Sequence, residues 1–183
     1  MNAPDGILSQ IAATHKLLES ARIPHGLIGG WAAAVWGRVR ATRDVDWLAA
    51  VPVSRKTEIL ALLSAFGEPD WREAGEDDPV SGLIRIVPTA EHGAVTDILL
   101  ARSGEDRDAL ERCMTVAIAG GTEIPTVRPE DIIAMKLQAG GGLDYEDAKA
   151  ILLTQAATID EALLTAACRR RKASDRLEFI RKK

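Results

Sequence analysis

Apolar positions recur at helical spacing over residues 6–22, where Ile7, Ile11, Leu18 and Ala21 fall near one face, and Pro24 marks the end of that helix. The pattern then shortens. His25-Gly26-Leu27-Ile28 reads as a strand over 26–29, Ala32 to Trp36 as the body of a helix over 30–37, and Asp44 to Val51 as a second strand. Pro52 and Ser54 open a helix whose apolar set is Ile59, Leu60, Leu62, Leu63 and Phe66. Residues 67–81 are acidic and lack a period (Glu68, Asp70, Glu73, Glu76, Asp77, Asp78), which predicts a loop or short strand. Leu83 to Val87 and Ala94 to Leu100 form a hairpin turned at Glu91-His92-Gly93. After a charged helix over 104–114, two short strands flank a turn at Gly120-Gly121.

From Pro129 onward the pattern is helical. Pro129-Glu130-Asp131 places proline in a first turn and acids at the positive end of the helix dipole, and Ile132, Ile133, Met135 and Leu137 supply the packing face. Gly140-Gly141-Gly142 breaks that helix, Asp144 begins another to about Gln155, Thr158-Ile159-Asp160-Glu161 caps a third to about Arg170, and Ser174-Asp175 starts the last. The fold class is α/β, of the α+β kind: a small mixed sheet flanked by helices, with a C-terminal helical extension. Two parts are expected, a sheet core over 1–128 and a helical part over 129–183, with one continuous domain as the alternative.

Composition narrows the classes. The 183 residues suffice for a core with an appendage. Aromatic residues make up only 4%, too few for a platform on which several bases stack. No run approaches the ~18 apolar residues of a membrane span, and the first residues lack a signal-peptide pattern, so a cytoplasmic protein without membrane partners is expected. Cys113 and Cys168 lack metal-like spacing and read as reduced thiols. His15 and His25 read as surface or packing residues. The net charge of −4 is uneven: Arg169 to Lys183 carries eight basic residues against two acidic ones, a net +6 that leaves −10 on the rest. That segment suits a phosphate-backbone contact or a solvated helix.

Chemistry concentrates in eighteen residues, Gly29 to Asp46. Gly29-Gly30 can turn sharply and leave amides uncovered at a helix start, and that end of a helix suits an anion such as phosphate. Asp44 and Asp46 stand two apart in a strand and therefore share a face. Mg²⁺ is usually held by one or two carboxylates together with substrate phosphates. Pairing of Asp44 and Asp46 with Arg40 and Arg43 is the competing reading. Asp97 interrupts an apolar strand, where a carboxylate without a partner is costly; it is either satisfied by Thr96 or a backbone amide, or it belongs to a charged site.

Gly29-Gly30-x-Ala, followed by Gly37, Arg40 and Thr42-Arg43-Asp44-Val45-Asp46, resembles the nucleotidyltransferase superfamily, and within it the AbiE-type toxins and related bacterial proteins. Pro129 to Lys136 and the later Asp144-x-x-Asp147 resemble the same family, with one departure: Leu143 stands where that family has an arginine. The resemblance covers residues 25–155. It implies a nucleotidyltransferase-like fold and transfer of a nucleoside monophosphate from an NTP to an acceptor hydroxyl. Asp44, Asp46 and Asp97 would hold two Mg²⁺ ions, with Mn²⁺ as an alternative. Gly29, Gly30, Arg40, Thr42, Arg43, Lys136 and Asp147 would bind the nucleotide, with Lys136 also offsetting charge on the leaving pyrophosphate and Arg38 as a weaker candidate. Asp144 would cap its helix. A toxin of a toxin–antitoxin pair, acting on tRNA or on protein and met by a cognate antitoxin, is the leading expectation. An antibiotic-modifying enzyme, suggested by Gly29-Gly30-Trp31, and a non-catalytic binding module are the alternatives.

Overall fold

The structure is a computed structural model that describes residues 6–75, 80–89, 93–118 and 121–182. Glu76, Asp77, Asp78, the turn residues Glu91 and His92, Gly120 and Lys183 lie outside the described residues. Among the described residues, seven strands form one mixed sheet: β1 (His25–Leu27), β2 (Val45–Ala49), β3 (Gly67–Glu73), β4 (Gly82–Pro88), β5 (Thr96–Leu100), β6 (Met114–Ala117) and β7 (Glu123–Thr126), in the order β3-β4-β5-β2-β1-β7-β6. β2 runs parallel to β5 and β1 parallel to β7, whereas the other neighbours are antiparallel.

Helices cover both faces. On one lie α1 (Ile7–Ser20) and α3 (Lys56–Leu63), whose Ile11, Leu18, Ile59 and Leu63 pack against Val45, Trp47, Ile84, Ile86 and Ile98. On the other lie α2 (Gly29–Trp36), α4 (Gly104–Glu111), α5 (Pro129–Ala139), α6 (Gly142–Thr154), α7 (Glu161–Arg170) and α8 (Ser174–Arg181), around a second core with Leu48, Val127, Ile133, Leu137, Ile151 and Leu164. The alternation of the strands thus feeds two cores, and Asp46 and Asp97 share the pleat of Leu48 and Leu99, on the second face.

Of the loop or short strand expected for the acidic stretch after α3, the strand forms. Residues 67–73 form a seven-residue edge strand paired with β4 along its whole length, so backbone pairing overrides an unfavourable composition. Its exposed acids belong at an edge.

One buried glutamine ties α1 to the start of β5. Gln10 of α1 donates to the Ala94 carbonyl and the Thr96 hydroxyl (2.7 Å), and its own carbonyl accepts from the Ala94 amide (2.7 Å). The start of β5 is fixed by these bonds, one residue before Asp97.

The basic C-terminal segment is taken up by the fold. Arg171 is 8% exposed and donates to Asp106 (2.8 Å) and Gln138 (3.0 Å); Arg176 caps the α5 carbonyls of Leu137 and Gln138; Arg170 pairs with Asp108, Arg181 with Glu161 and Lys182 with Glu178. Asp106 also accepts from the backbone amides of Arg102 and Ser103 at the start of α4. Removing one partner of a buried ion pair costs about 3–5 kcal/mol because the other is left uncompensated. Asp106→Ala is expected to lose that much in urea unfolding, and the double variant Asp106→Ala/Arg171→Met to recover part of it.

Candidate active site

The site forms where β1 ends and α2 begins. Gly29 is the first residue of α2 and has φ +66°, the left-handed region that side chains disfavour. A Cβ on Gly29 would lie 1.9 Å from the Asp46 Oδ2, and one on Gly30 would lie 2.6 Å from the Thr42 hydroxyl. The glycine pair therefore lets the Asp46 carboxylate lie directly against the start of the helix, where the Gly30 amide donates to it. Thr42 stands beside the same elbow and its hydroxyl reaches toward the Asp44 carbonyl (3.5 Å).

Asp46 and Asp97 are register partners on the parallel strands β2 and β5, so their side chains stand on one face as neighbours. Burial, then the Asp97 charge, push the Asp46 carboxyl up to about 6, with Asp44 adding to the effect; Lys136 and the Gly30 amide work in the opposite direction. Asp44 precedes β2 by one residue and is exposed. Asp97 has a partner that its own strand does not reveal. Arg85, opposite it on β4, grips the carboxylate with a two-pronged contact, Nε to Oδ1 at 2.8 Å and Nη2 to Oδ2 at 2.6 Å.

A web of ion pairs surrounds the fully buried Asp147 of α6. Arg40 binds it through two nitrogens at 3.1 Å, Lys136 of α5 at 3.0 Å and Arg38 at 3.0 Å. Burial alone would push the Asp147 carboxyl up, but the bonds from Arg40 and Lys136 hold it below the usual carboxylate range. Lys136 also binds Asp144 (2.8 Å), whose other oxygen accepts from the Gly141 amide at the start of α6. Arg40 thus pairs with Asp147 and not with Asp44 or Asp46. Arg43 is exposed, with no hydrogen-bond or ion-pair partner among the described residues. Leu143 is half exposed on α6.

Between the sheet and α5 lies a cavity of about 240 Å³, with Gly29, Asp46, Lys136 and Asp144 at its polar end and Ile28, Leu99 and Met135 along its wall. A second, of about 180 Å³, shares that wall and reaches Gln138 and Arg171. Among the described residues, no group of three acidic, histidine or cysteine side chains is placed to hold a metal by itself. The donor chemistry nevertheless suits a hard cation completed by substrate oxygens: Asp44 and Asp46 could supply carboxylate oxygens beside the start of α2.

No protein-family model matches the sequence, and the curated proteins hold no match to it. Solved structures are similar. The antibiotic-resistance factor ANT(2'')-Ia in solution has 20% identity and a TM-score of 0.58, with 94% of this chain and 97% of that chain covered. Its complex with adenylyl-2''-tobramycin has 21% identity and a TM-score of 0.57, over 90% and 99%. An antigenic nucleotidyltransferase-like protein from Paracoccidioides brasiliensis has 18% identity and a TM-score of 0.54, over 94% and 91%. The chain has a nucleotidyltransferase fold. The likeness reaches that fold and not its AbiE-type branch.

Within the nucleotidyltransferase fold, Gly29, Asp46, Lys136 and Asp144 come together at one end of the cavity, with Gly30 and Asp97 beside Asp46. Arg40, Asp147 and Arg38 form the adjoining web. Sequence reasoning missed Arg85 and Gln10. The signal for Arg85 was present in Leu83-Ile84-Arg85-Ile86-Val87, where a cation interrupts an apolar strand that pairs with the strand of Asp97; the spacing of the turn decides whether the two meet.

Two outcomes are expected. Gly29→Ala costs about 1–2 kcal/mol for its left-handed backbone alone, and urea unfolding is expected to show at least that loss because Asp46 must also move. For Asp46, the folded state keeps a proton up to about pH 6, whereas an unfolded aspartate loses it near 4. Metal-free protein should therefore lose stability as pH rises between those values and stay at the lower level above them. In EDTA at pH 8, Asp46→Asn should be more stable than wild type by about 1–3 kcal/mol and show a flatter profile; equal stability would contradict the assignment.

Proposed function

We propose that this protein is a metal-dependent nucleotidyltransferase that moves a nucleoside monophosphate from an NTP to an acceptor hydroxyl. The observation that carries this reading is the lateral pairing of Asp46 and Asp97 beside the Gly29-Gly30 elbow. Asp44 and Asp46 would hold Mg²⁺ or Mn²⁺, which neutralises triphosphate charge when bound. The amides at the start of α2 and the exposed Arg43 would receive phosphate oxygens. Lys136, already poised between Asp46 and Asp144, would offset charge on the pyrophosphate as it leaves. In the transfer, the acceptor oxygen forms a bond to the α-phosphorus, the bond from that phosphorus to the bridging α–β oxygen breaks, and the hydroxyl proton passes to Asp97, which lies beside Asp46. The cavity under α5 would take the nucleoside.

The acceptor is the finer question. Within the basic segment, which also suits a phosphate-backbone contact, Arg170, Arg171, Arg181 and Lys182 pair with acids of the fold and Arg176 caps carbonyls of α5. That favours a small hydroxylated acceptor over tRNA. The structure of ANT(2'')-Ia with adenylyl-2''-tobramycin gives a starting class of compound. The toxin reading, with RNA or protein as acceptor and an antitoxin as partner, becomes the second reading.

Each of the four α-labelled NTPs should be incubated with Mg²⁺ or Mn²⁺ and with aminoglycosides, lincosamides or bulk tRNA. Label is expected on a small-molecule acceptor, lost in EDTA and reduced at least about 100-fold by Asp46→Asn, on the scale of losing a preorganised electrostatic group. Transfer that survives Asp46→Asn refutes the mechanism, and label on tRNA alone restores the toxin reading.

A further inference from the structure

Arg85 is the residue of this site that a centre built from carboxylates, cation and phosphate has no evident need for. It lies on β4 with an aspartate opposite it on each side: Asp97 on β5 and Asp70 on β3. Its choice between them is one-sided. Asp70 is engaged by Arg72 at 2.7 Å, while both oxygens of Asp97 are taken by the Arg85 fork at 2.8 and 2.6 Å. The Asp97 side chain is 11% exposed and that of Arg85 40% exposed, so the guanidinium covers the carboxylate from the solvent side. The bonds to Asp97 and its charge hold Arg85 more firmly protonated, with smaller contributions from Asp44 and Asp46. A guanidinium does not give up its charge in a protein.

Resting on the proposed nucleotidyl transfer, we infer that Arg85 keeps Asp97 out of the cation-binding set, so that the site takes one divalent cation, on Asp44 and Asp46, and the guanidinium supplies the positive charge that a second cation would bring. Two-cation centres place their ions about 3.5–4 Å apart, which would require Asp97 as a ligand to one of them. Here a fixed positive charge already sits on both of its oxygens, within hydrogen-bond distance. A second ion would have to displace a two-pronged, charge-assisted contact, the strongest kind of side-chain hydrogen bond, or share the carboxylate with a like charge. Arg85 is then a positioning residue: it leaves each Asp97 oxygen a lone pair for an acceptor hydroxyl and holds the carboxylate still.

The test counts ions by electron paramagnetic resonance of Mn²⁺ bound to the full chain, alone and with α,β-methylene-ATP. Two Mn²⁺ ions a few ångströms apart couple and broaden the spectrum, whereas a single ion does not. Wild type is expected to bind one ion per chain with an uncoupled spectrum. Arg85→Met, which keeps the aliphatic stem, should bind two with a coupled spectrum; Arg85→Lys, which keeps the charge, should return to one. A coupled pair on wild type overturns the inference, even if the Met variant fails to fold, and so does a single ion on a folded Arg85→Met. No protein-bound Mn²⁺ on wild type or on either variant overturns the nucleotidyl-transfer reading itself, and the inference with it.

Discussion

Two carboxylates placed side by side on adjacent parallel strands repel each other, and much of the site serves to make that placement tolerable. Asp46 and Asp97 cannot separate, because the register of β2 and β5 fixes them and because each belongs to a strand whose other residues are locked into two apolar cores. The relief comes from three directions: the Gly30 amide and Lys136 on Asp46, and the Arg85 fork on Asp97. Burial first, and then the neighbouring Asp97 charge, still leave Asp46 holding its proton to a higher pH than an ordinary aspartate. A folded protein that keeps such a pair forgoes stability that apolar residues could have supplied, which is the usual mark of a site selected for chemistry.

The second layer of charge is balanced more fully. Asp147 is completely buried, yet Arg38, Arg40 and Lys136 all address it. This web joins the segment after α2 to α5 and α6, which are distant in sequence. Lys136 is the member it shares with the cavity, so its ammonium is aimed by Asp144 and Asp147 and not left to a flexible stem. The acids of α6 thus orient the lysine at the end of the cavity where Asp46 lies.

Much of this was legible in the sequence. The 3.6-residue period marked the helices; the glycine pair followed by Asp-x-Asp located the elbow and the first carboxylates; and a lone aspartate in an apolar strand pointed to Asp97. What stayed hidden depended on lateral pairing. Nothing local in Arg85 states which residue faces it across β4 and β5, and nothing in Gln10 states that α1 crosses the sheet above the start of β5. The edge strand β3 stayed open between loop and strand for a related reason: its residues carry little strand character, and it forms because β4 offers a complete row of backbone partners. The basic C-terminal segment hid its partners in the same way: its charges are conspicuous in the chain, but nothing local states that Arg170, Arg171 and Arg181 meet Asp108, Asp106 and Glu161.

The amide clasp of Gln10 carries one more consequence. It grips the chain just ahead of β5 from the far side of the sheet, remote from any substrate. A slip of that strand by one residue would turn every side chain of β5 through to the other face, sending Asp97 into hydrocarbon and Ile98 toward the cavity. The first helix therefore works as an indexing pin: it sets the phase of the strand, and through that phase whether an acid meets its partner at all.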